Sequence, residues 1–234
     1  MTWVSILTPI HNGIEFLEEC ALSVCLQNCS YGSTSFTWEW WIGINGHGTG
    51  GEALEKALQI QKVCNRHIGE NMIHVVNLPD VNGKVEALNA LTAKSKGEWI
   101  AVLDCDDTWE RDKLIFQRMT IQTIPSIDVL GTFCKYFGEF TEGPILPKGI
   151  LTPAQIWTSN PIINSSVILR RQHAYWEDRF GLDDYDMWLR LSKKGLRFFN
   201  IPYNLVNHRI YRGSAFNGKG QQNVEALLEY HRQT

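Results

Sequence analysis

The chain has no run of five or more lysines and arginines, and its formal net charge is -3. A protein that neutralises nucleic-acid phosphates needs such cations, which argues against a nucleic-acid binder; a small ligand or neutral glycan fits better. There is no apolar stretch of about 18 residues, the length a helix needs to cross a bilayer, and no transmembrane segment is expected. The first residues read as a strand, not as a charged segment followed by an apolar one, which leads to the expectation of a soluble, cytoplasmic protein. Cys20, Cys25, Cys29, Cys64, Cys105 and Cys134 form no paired Cys-x-x-Cys blocks of zinc-site spacing. They are read as buried free thiols, and the sequons at Asn28 and Asn164 accordingly carry no weight. No G-x-G-x-x-G follows the first apolar run, which argues against a dinucleotide-dependent dehydrogenase. Neither an internal repeat nor a Gly/Ser-rich linker divides the chain. What remains is 234 residues, 44% hydrophobic and 20% charged, the balance of one globular domain with a sizeable core.

Apolar periodicity supplies the organisation. Val4 to Thr8 is a short apolar run stopped by Pro9, and Gly13 to Gln27 carries apolar residues at helical spacing. Trp38 to Ile44 is a second strand, ending in the Gly-rich loop 45–51; Glu52 to His67 is a second helix. Met72 to Asn77, Lys84 to Lys96 and Trp99 to Leu103 continue the alternation, the last so uniformly apolar that it suits a strand buried on both faces. Strand-helix repetition implies right-handed crossovers and a parallel sheet, with ligands bound beyond the strands' carboxyl ends. The site is therefore expected in the loops after residues 8, 44 and 103. After a helix at Leu114 to Thr123 the rhythm breaks, and Ile127 to Leu151 reads as strand-like runs interrupted by glycine and proline. Ser166 to Leu169 and Leu205 to Ile210 are further strands, Tyr185 to Lys194 and Gln221 to His231 further helices. The division expected is between residues 1–110 and an irregular half, 111–234, that covers the first.

The chemistry concentrates in Leu103-Asp104-Cys105-Asp106-Asp107, where three carboxylates follow directly on a buried strand. Their repulsion is relieved by a hard divalent cation, because Mg²⁺ and Mn²⁺ prefer carboxylate oxygens and keep positions open for substrate phosphates. The plainer alternative makes Asp107 the cap or first-turn acid of a helix starting at Arg111; that accounts for one aspartate, not three. A second acidic group, Asp183, Asp184 and Asp186, precedes or opens a helix, where backbone N–H groups stabilise negative charge.

These segments together resemble family 2 glycosyltransferases of GT-A fold. Leu103 to Asp107 is similar to that family's DxD motif, and Val4 to Asn12 to its opening strand, whose exit loop touches the nucleotide base. Gly83 to Ala90 resembles the helix before the DxD strand, Asp183 to Leu191 the acidic motif holding the catalytic base, and Arg209 to Ser214 a basic segment near the diphosphate. The resemblance runs from about residue 3 to about residue 214. It implies an α/β fold, a Rossmann-like mixed sheet flanked by helices in a single domain. It implies an inverting transfer of sugar from a nucleotide donor, UDP-linked in preference, to a glycan or other hydroxyl acceptor, with Mn²⁺ or Mg²⁺.

On that resemblance Asp184 is the base, with Asp183 as second choice; the metal rests on Asp106, with Asp104, Asp107 and Tyr211 as further candidates. Thr8, Pro9, His11, Asn45, Lys84, Asp104, Arg209 and Arg212 would bind the nucleotide, and Trp109 and Trp157 would face the acceptor. The chain departs from the family at Ile44-Asn45, where two acids are usual, at His11, where Tyr is frequent, and at Tyr211, where several members have a His ligand. Asn45 can both accept from and donate to a base, so uracil remains readable. A nucleotidyltransferase would carry a Gly-rich phosphate loop after the first strand, which Pro9 to Gly13 lacks. A non-catalytic glycan-binding domain of the same fold would not need both acidic motifs. His47, His173 and His208 show no ligand spacing and receive no role.

Overall fold

The computed structural model describes residues 2–46, 51–69, 72–212 and 221–234; His47, the rest of the 47–50 loop, Gly213 and Ser214 lie outside the described residues. The first half follows the expected alternation. Its elements are β1 (Val4–Ile10), α1 (Leu17–Cys25), a two-stranded ribbon of β2 (Ser30–Tyr31) and β3 (Thr34–Ser35), β4 (Trp38–Asn45), α2 (Glu52–Ile68), β5 (Ile73–Leu78), α3 (Lys84–Lys94) and β6 (Trp99–Val102). The second half contains β7 (Thr108–Trp109), α4 (Lys113–Thr123), β8 (Val129–Gly138), β9 (Gly149–Leu151), α5 (Pro153–Thr158), β10 (Ile168–Arg170), α6 (Asp183–Lys193), β11 (Phe198–Ile210) and α7 (Gln221–Gln233).

Nine strands form one mixed sheet in the order β5-β4-β1-β6-β10-β8-β11-β7, with β9 paired to β11. β5, β4, β1 and β6 are parallel, β10 is antiparallel to both β6 and β8, and β11 runs parallel to β8. Because the first four strands are parallel, the loops after Ile10, Asn45 and Val102 leave from one edge, the arrangement in which open α/β sheets bind ligands. The period of two sorts the strands' side chains. Val4, Ile6 and Ile10 join a core with Leu17 and Val24 of α1, Ala57 of α2 and Leu114 of α4. Leu7, Ile100 and Val102 join a second core with Leu88 and Leu91 of α3 and Met187 and Trp188 of α6. The sheet is thus covered on both faces, which is why β1 and β6 are buried along their whole length.

Several elements differ from the expectations of the sequence: β1 runs through Pro9 to Ile10, and β2, β3 and β7 have no counterpart among the expected strands. β11 begins at Phe198, well before Leu205, and its pairing with β8 shifts register between Ile201 and Val206; Pro202 lies in that irregularity and breaks the alternation. α5 has no counterpart among the expected helices, although Thr152 accepts from the Gln155 backbone and Gln155 returns the bond, with Pro153 at the helix start. α4 begins at Lys113 and its cap position is Asp112, so Asp107 does not cap this helix.

The cysteines are all free, with Cys20, Cys105 and Cys134 buried and Cys25, Cys29 and Cys64 half-buried. Gly97 enters β6 at a place where an added Cβ would lie 2.5 Å from the Ser5 backbone nitrogen and 2.8 Å from the Trp99 carbonyl. Since backbone cannot yield as a side-chain tip does, Gly97→Ala is expected to cost about 1–3 kcal/mol. A melting temperature equal to that of the unsubstituted protein would show that β1 and β6 can separate without penalty.

Candidate active site

β6 ends at the buried Val102 and releases the loop 103–107 at the sheet's carboxyl edge, where the three acids take three different roles. Asp107 is fully buried; its Oδ1 accepts from the Arg209 backbone N–H at 2.8 Å and its Oδ2 from His208 Nδ1 at 2.8 Å. Asp104 places Oδ1 2.6 Å from Lys84 Nζ and accepts from Asn164 Nδ2 at 3.1 Å on Oδ2. Its backbone N–H donates to Ser165 Oγ at 3.1 Å. Burial opposes charge on Asp104, but Lys84 and Asn164 more than offset it and hold the carboxyl below its ordinary range.

All four oxygens of Asp104 and Asp107 therefore have partners within the protein. Asp106 is the exception in energy: burial, then repulsion from Asp107 and Asp104, push its carboxyl up to about 6. The Tyr211 phenol hydrogen-bonds to Asp106, and its own ionisation is pushed up to about 12 by burial and by that carboxylate. His208 is desolvated, yet the bond to Asp107 and the fields of Asp104 and Asp106 raise its pKa and favour the imidazolium.

The second acidic motif forms the first turn of α6, whose cap position is Leu182 with no side-chain cap. Neither Asp183 nor Asp184 is accounted for as a cap. Asp184 accepts from Asn160 Nδ2 at 2.9 Å and from the Tyr185 N–H at 2.7 Å. Burial and the neighbouring Asp183 raise its pKa, while Lys84, Asn160 and the Tyr185 N–H pull in the opposite direction. Lys84, on the first turn of α3, feels burial against its charge, but Asp104, Asp183 and Asp184 together hold its ammonium well above the usual range. One lysine thus joins the two acidic motifs. Asp186 plays a structural part instead. Fully buried, it pairs with Arg179, Arg190 and His231, the last across 2.9 Å from α7.

At the other end of the edge, His11 is exposed and donates through Nδ1 to the Asn45 carbonyl at 3.1 Å. Asn45 is 1% exposed, and neither its Oδ1 nor its Nδ2 has a hydrogen-bond partner among the described residues. A buried primary amide left unpaired costs free energy; here it lies at the end of β4, next to the loop from β1. Thr8 and Pro9 are inside the sheet, and Thr8 Oγ1 accepts from Trp40 Nε1 at 2.9 Å. The Thr8 side chain is thus committed to the core, so the expected base contact by this hydroxyl is not available in this arrangement.

Packing bears on three other expectations. Trp109 is 3% exposed; its Nε1 donates to the Ser165 carbonyl at 2.7 Å and Lys113 Nζ lies 3.9 Å from its ring centroid. It is a core ring, not an acceptor platform. Trp157, on α5, is half-buried, packs edge-on to His231 and has Lys193 Nζ 5.8 Å from its ring centroid. Arg209 donates through Nε to the Asp106 carbonyl at 2.9 Å, pairs with Glu19, and stacks between Phe16 and Phe137. Its guanidinium supports the acidic loop from behind instead of standing free for a diphosphate. Arg212 is the exposed cation of that segment, with its side chain 96% accessible and 4.0 Å from Glu139.

The residues that the sequence does not single out are His208, Asn164, Ser165, Asn160 and Glu19. Asn164 stands out in the sequence only as part of a sequon, and His208 lacks any spacing signal. Among the described residues no group of three or more His, Cys, Asp or Glu could enclose a metal ion. Asp106, raised in energy while its neighbours' oxygens are already paired, is the carboxylate that could hold a hard divalent cation, whose remaining ligands would have to come from outside the protein.

With this geometry established, comparison with known proteins gives a consistent result. The family model of glycosyl transferase family 2 matches residues 5–181. TuaG of Bacillus subtilis strain 168, described as a putative teichuronic acid biosynthesis glycosyltransferase, is 25% identical over 224 residues, covering 92% of this chain and 82% of TuaG. Among solved structures, S. aureus TarS 1-349 with UDP-GlcNAc superposes with a TM-score of 0.75 at 17% identity, covering 98% of this chain and 66% of that one. The mannosyltransferase PcManGT of Pyrobaculum calidifontis, in complex with GDP-Man and Mn²⁺, gives 0.72 at 13% identity over 99% of this chain and 64% of that one. At such identities the two structures establish the fold, and the chain spans no more than 66% of these two solved proteins.

The two acids that differ most in partners should respond oppositely to substitution. Removing one member of a buried, hydrogen-bonded charge pair costs about 3 kcal/mol or more, so Asp107→Ala should lower the melting temperature markedly. Asp106→Asn removes a repelled carboxylate and should raise the melting temperature at neutral pH in a chelator. Thermal denaturation of both variants decides this; a destabilised Asp106→Asn would mean that the carboxylate is already compensated.

Proposed function

The chain belongs to glycosyl transferase family 2, and from that premise we propose that it moves a sugar from a nucleoside diphosphate to a hydroxyl of a glycan or other acceptor, with inversion and with Mn²⁺ or Mg²⁺ as cofactor. The observation that carries this reading is the position of Lys84, 2.6 Å from Asp104 and in the field of Asp183 and Asp184. It supports a single site in which the loop after β6 receives the donor and the start of α6 receives the acceptor. Residues 1–110 then serve the nucleotide and residues 111–234 the acceptor.

Asp184 is the base in this proposal. Its raised pKa suits a carboxylate that must take a proton from a hydroxyl, and Asn160 orients it through Oδ2. As the proton passes to Asp184, the acceptor oxygen forms its bond to the anomeric carbon opposite the leaving group, and the electron pair of the broken C–O bond departs on the diphosphate. Asp106 would hold the divalent cation, which when bound neutralises charge on that diphosphate. Asp104, kept ionised by Lys84, would hold the ribose, and the exposed Arg212 would approach the diphosphate.

The ligands of the solved relatives differ, UDP-GlcNAc in TarS and GDP-Man in PcManGT, so fold alone admits either base. The preference for UDP rests on Asn45, whose carbonyl can accept from the uracil N3–H while its amide donates to a ring carbonyl, with His11 stacking beside it. A cytoplasmic location is part of the same proposal; among the described residues no helix is long and apolar enough to cross a membrane.

UDP should raise the melting temperature in the presence of Mn²⁺ and lose that effect in EDTA, since a ligand that binds the native state stabilises it by mass action. Equal stabilisation in EDTA would remove the cation from the proposal. Asp184→Asn keeps shape but cannot take a proton, so turnover should fall on the order of 10² to 10⁴ while Mn²⁺-dependent UDP binding survives. Asp183→Asn should cost clearly less; the reverse ranking would move the base by one residue.

The pH profile provides a separate check. Asp184 acts only when ionised, and its pKa is raised, so kcat/KM should climb with pH along an acid limb lying above the ordinary carboxylate range. Asn160→Ala removes a donor that favours the ionised form and should move that limb to still higher pH. A limb unmoved by Asn160→Ala would point to another base.

A further inference from the structure

Lys113 is fully buried at the start of α4, and burial pushes its pKa well below the usual lysine range. Its Nζ donates to Gln117 Oε1 at 2.9 Å and lies over the Trp109 ring at 3.9 Å. No step proposed above uses it. An apolar side chain of similar length would avoid the desolvation that this ammonium suffers, so packing alone gives no account of its presence.

Its two neighbours do converge on something. Gln117 Nε2 donates to the Ser166 carbonyl at 2.9 Å and to the Leu130 carbonyl at 3.3 Å, and Trp109 Nε1 donates to the Ser165 carbonyl at 2.7 Å. Ser165 and Ser166 are consecutive residues of the short helical turn Asn164–Ser166. The same turn holds Asp104 twice, by Ser165 Oγ to its backbone N–H and by Asn164 Nδ2 to its carboxylate. The two carbonyls can only accept, so Nε2 faces them and Oε1 faces Lys113, whose Nζ supplies the donor that this buried oxygen needs. Nζ, 3.9 Å from the centroid of the Trp109 ring, packs against the face of the indole that grips the other carbonyl.

We propose that Lys113 is a positioning residue for Asp104, acting through Gln117 and Trp109 on the turn Asn164–Ser166. The functional consequence rests on Asp104 being the nucleotide-binding carboxylate of the reading above; the positional claim does not. With the turn held by two oriented donors, the Asp104 carboxylate meets Lys84 in one geometry. Without Lys113, Gln117 Oε1 is left buried with no donor, the side chain shifts to find one at the expense of its bonds to the two carbonyls, and the turn loosens.

The experiment compares the full-length protein with Lys113→Met by thermal denaturation, amide hydrogen exchange, and calorimetric titration of UDP with Mn²⁺. Lys113→Met should melt at the same or a higher temperature. Its Asp104 amide should nonetheless lose protection by about tenfold or more, a local opening beneath an unchanged global stability. UDP affinity should fall by a similar factor, and Lys113→Met combined with Asn164→Ala should bind no more weakly than Asn164→Ala alone, since residues acting through one contact are non-additive.

Unchanged Asp104 exchange in a folded Lys113→Met protein would overturn the proposal, as would fully additive losses. Should Lys113→Met fail to fold, Trp109→Phe keeps an aromatic ring beneath Lys113 Nζ and deletes the indole N–H, and it should show the same loss at Asp104; an unaffected amide there would overturn the proposal. If the unsubstituted protein bound no UDP with Mn²⁺, the functional reading would fail while the exchange result still decided the position of Asp104.

Discussion

The ammonium of Lys84 stands 2.6 Å from Asp104 and within the fields of Asp183 and Asp184, and the carboxyl edge of the sheet is organised around that sharing. One positive charge opposite three carboxylates cannot neutralise them, so the remainder falls on the environment. Asp104 receives the close contact and stays ionised, while Asp184 receives a more distant attraction and keeps a raised pKa. A difference of this kind between acids in one cleft is how a protein divides binding from proton transfer among identical side chains. Asp106, which gains less from that lysine, carries the residual repulsion.

The acids of α6 can sit in this field because the helix is held independently of them. Asp186, two residues after Asp184, is fully buried and meets Arg179, Arg190 and His231. Burial lowers the His231 pKa despite the carboxylate, so the neutral ring donates through Nε2 to Asp186. The helix is thereby tied to α7 on one side, while Tyr185 donates its hydroxyl to the Ile156 carbonyl of α5 on the other. These supporting residues fix the helix that carries Asp183 and Asp184 in its first turn.

The parallel half of the fold is legible because its signals are local. Apolar runs of strand length, helices with a repeated stripe, and acids directly after a buried strand can each be read within a dozen residues. The partners that give those acids distinct roles are far away in sequence. Asn164 lies sixty residues from Asp104, and His208 lies about a hundred from Asp107; neither distance leaves a periodic trace. Trp109 is misjudged for a related reason, since its sequence neighbours suggest a turn while its surroundings are supplied by Lys113 and Ser165. Pro202 hides the irregular start of β11. The cap of α5, by contrast, is visible in Thr152-Pro153-Ala154-Gln155, a local signal that the broken rhythm around it obscures.

The bonds from Asp107 to His208 and Arg209 bridge separations of 101 and 102 residues. A chain made from its amino terminus forms the β1-α1-β4 unit long before residue 209 leaves the ribosome. During that interval the loop after β6 exists with Asp107 still facing water. The internal pairing of the acidic loop is therefore completed last, by a strand about a hundred residues further along the chain. A fragment ending before β11 would retain the parallel strands but not the internal pairing that shapes their acidic loop.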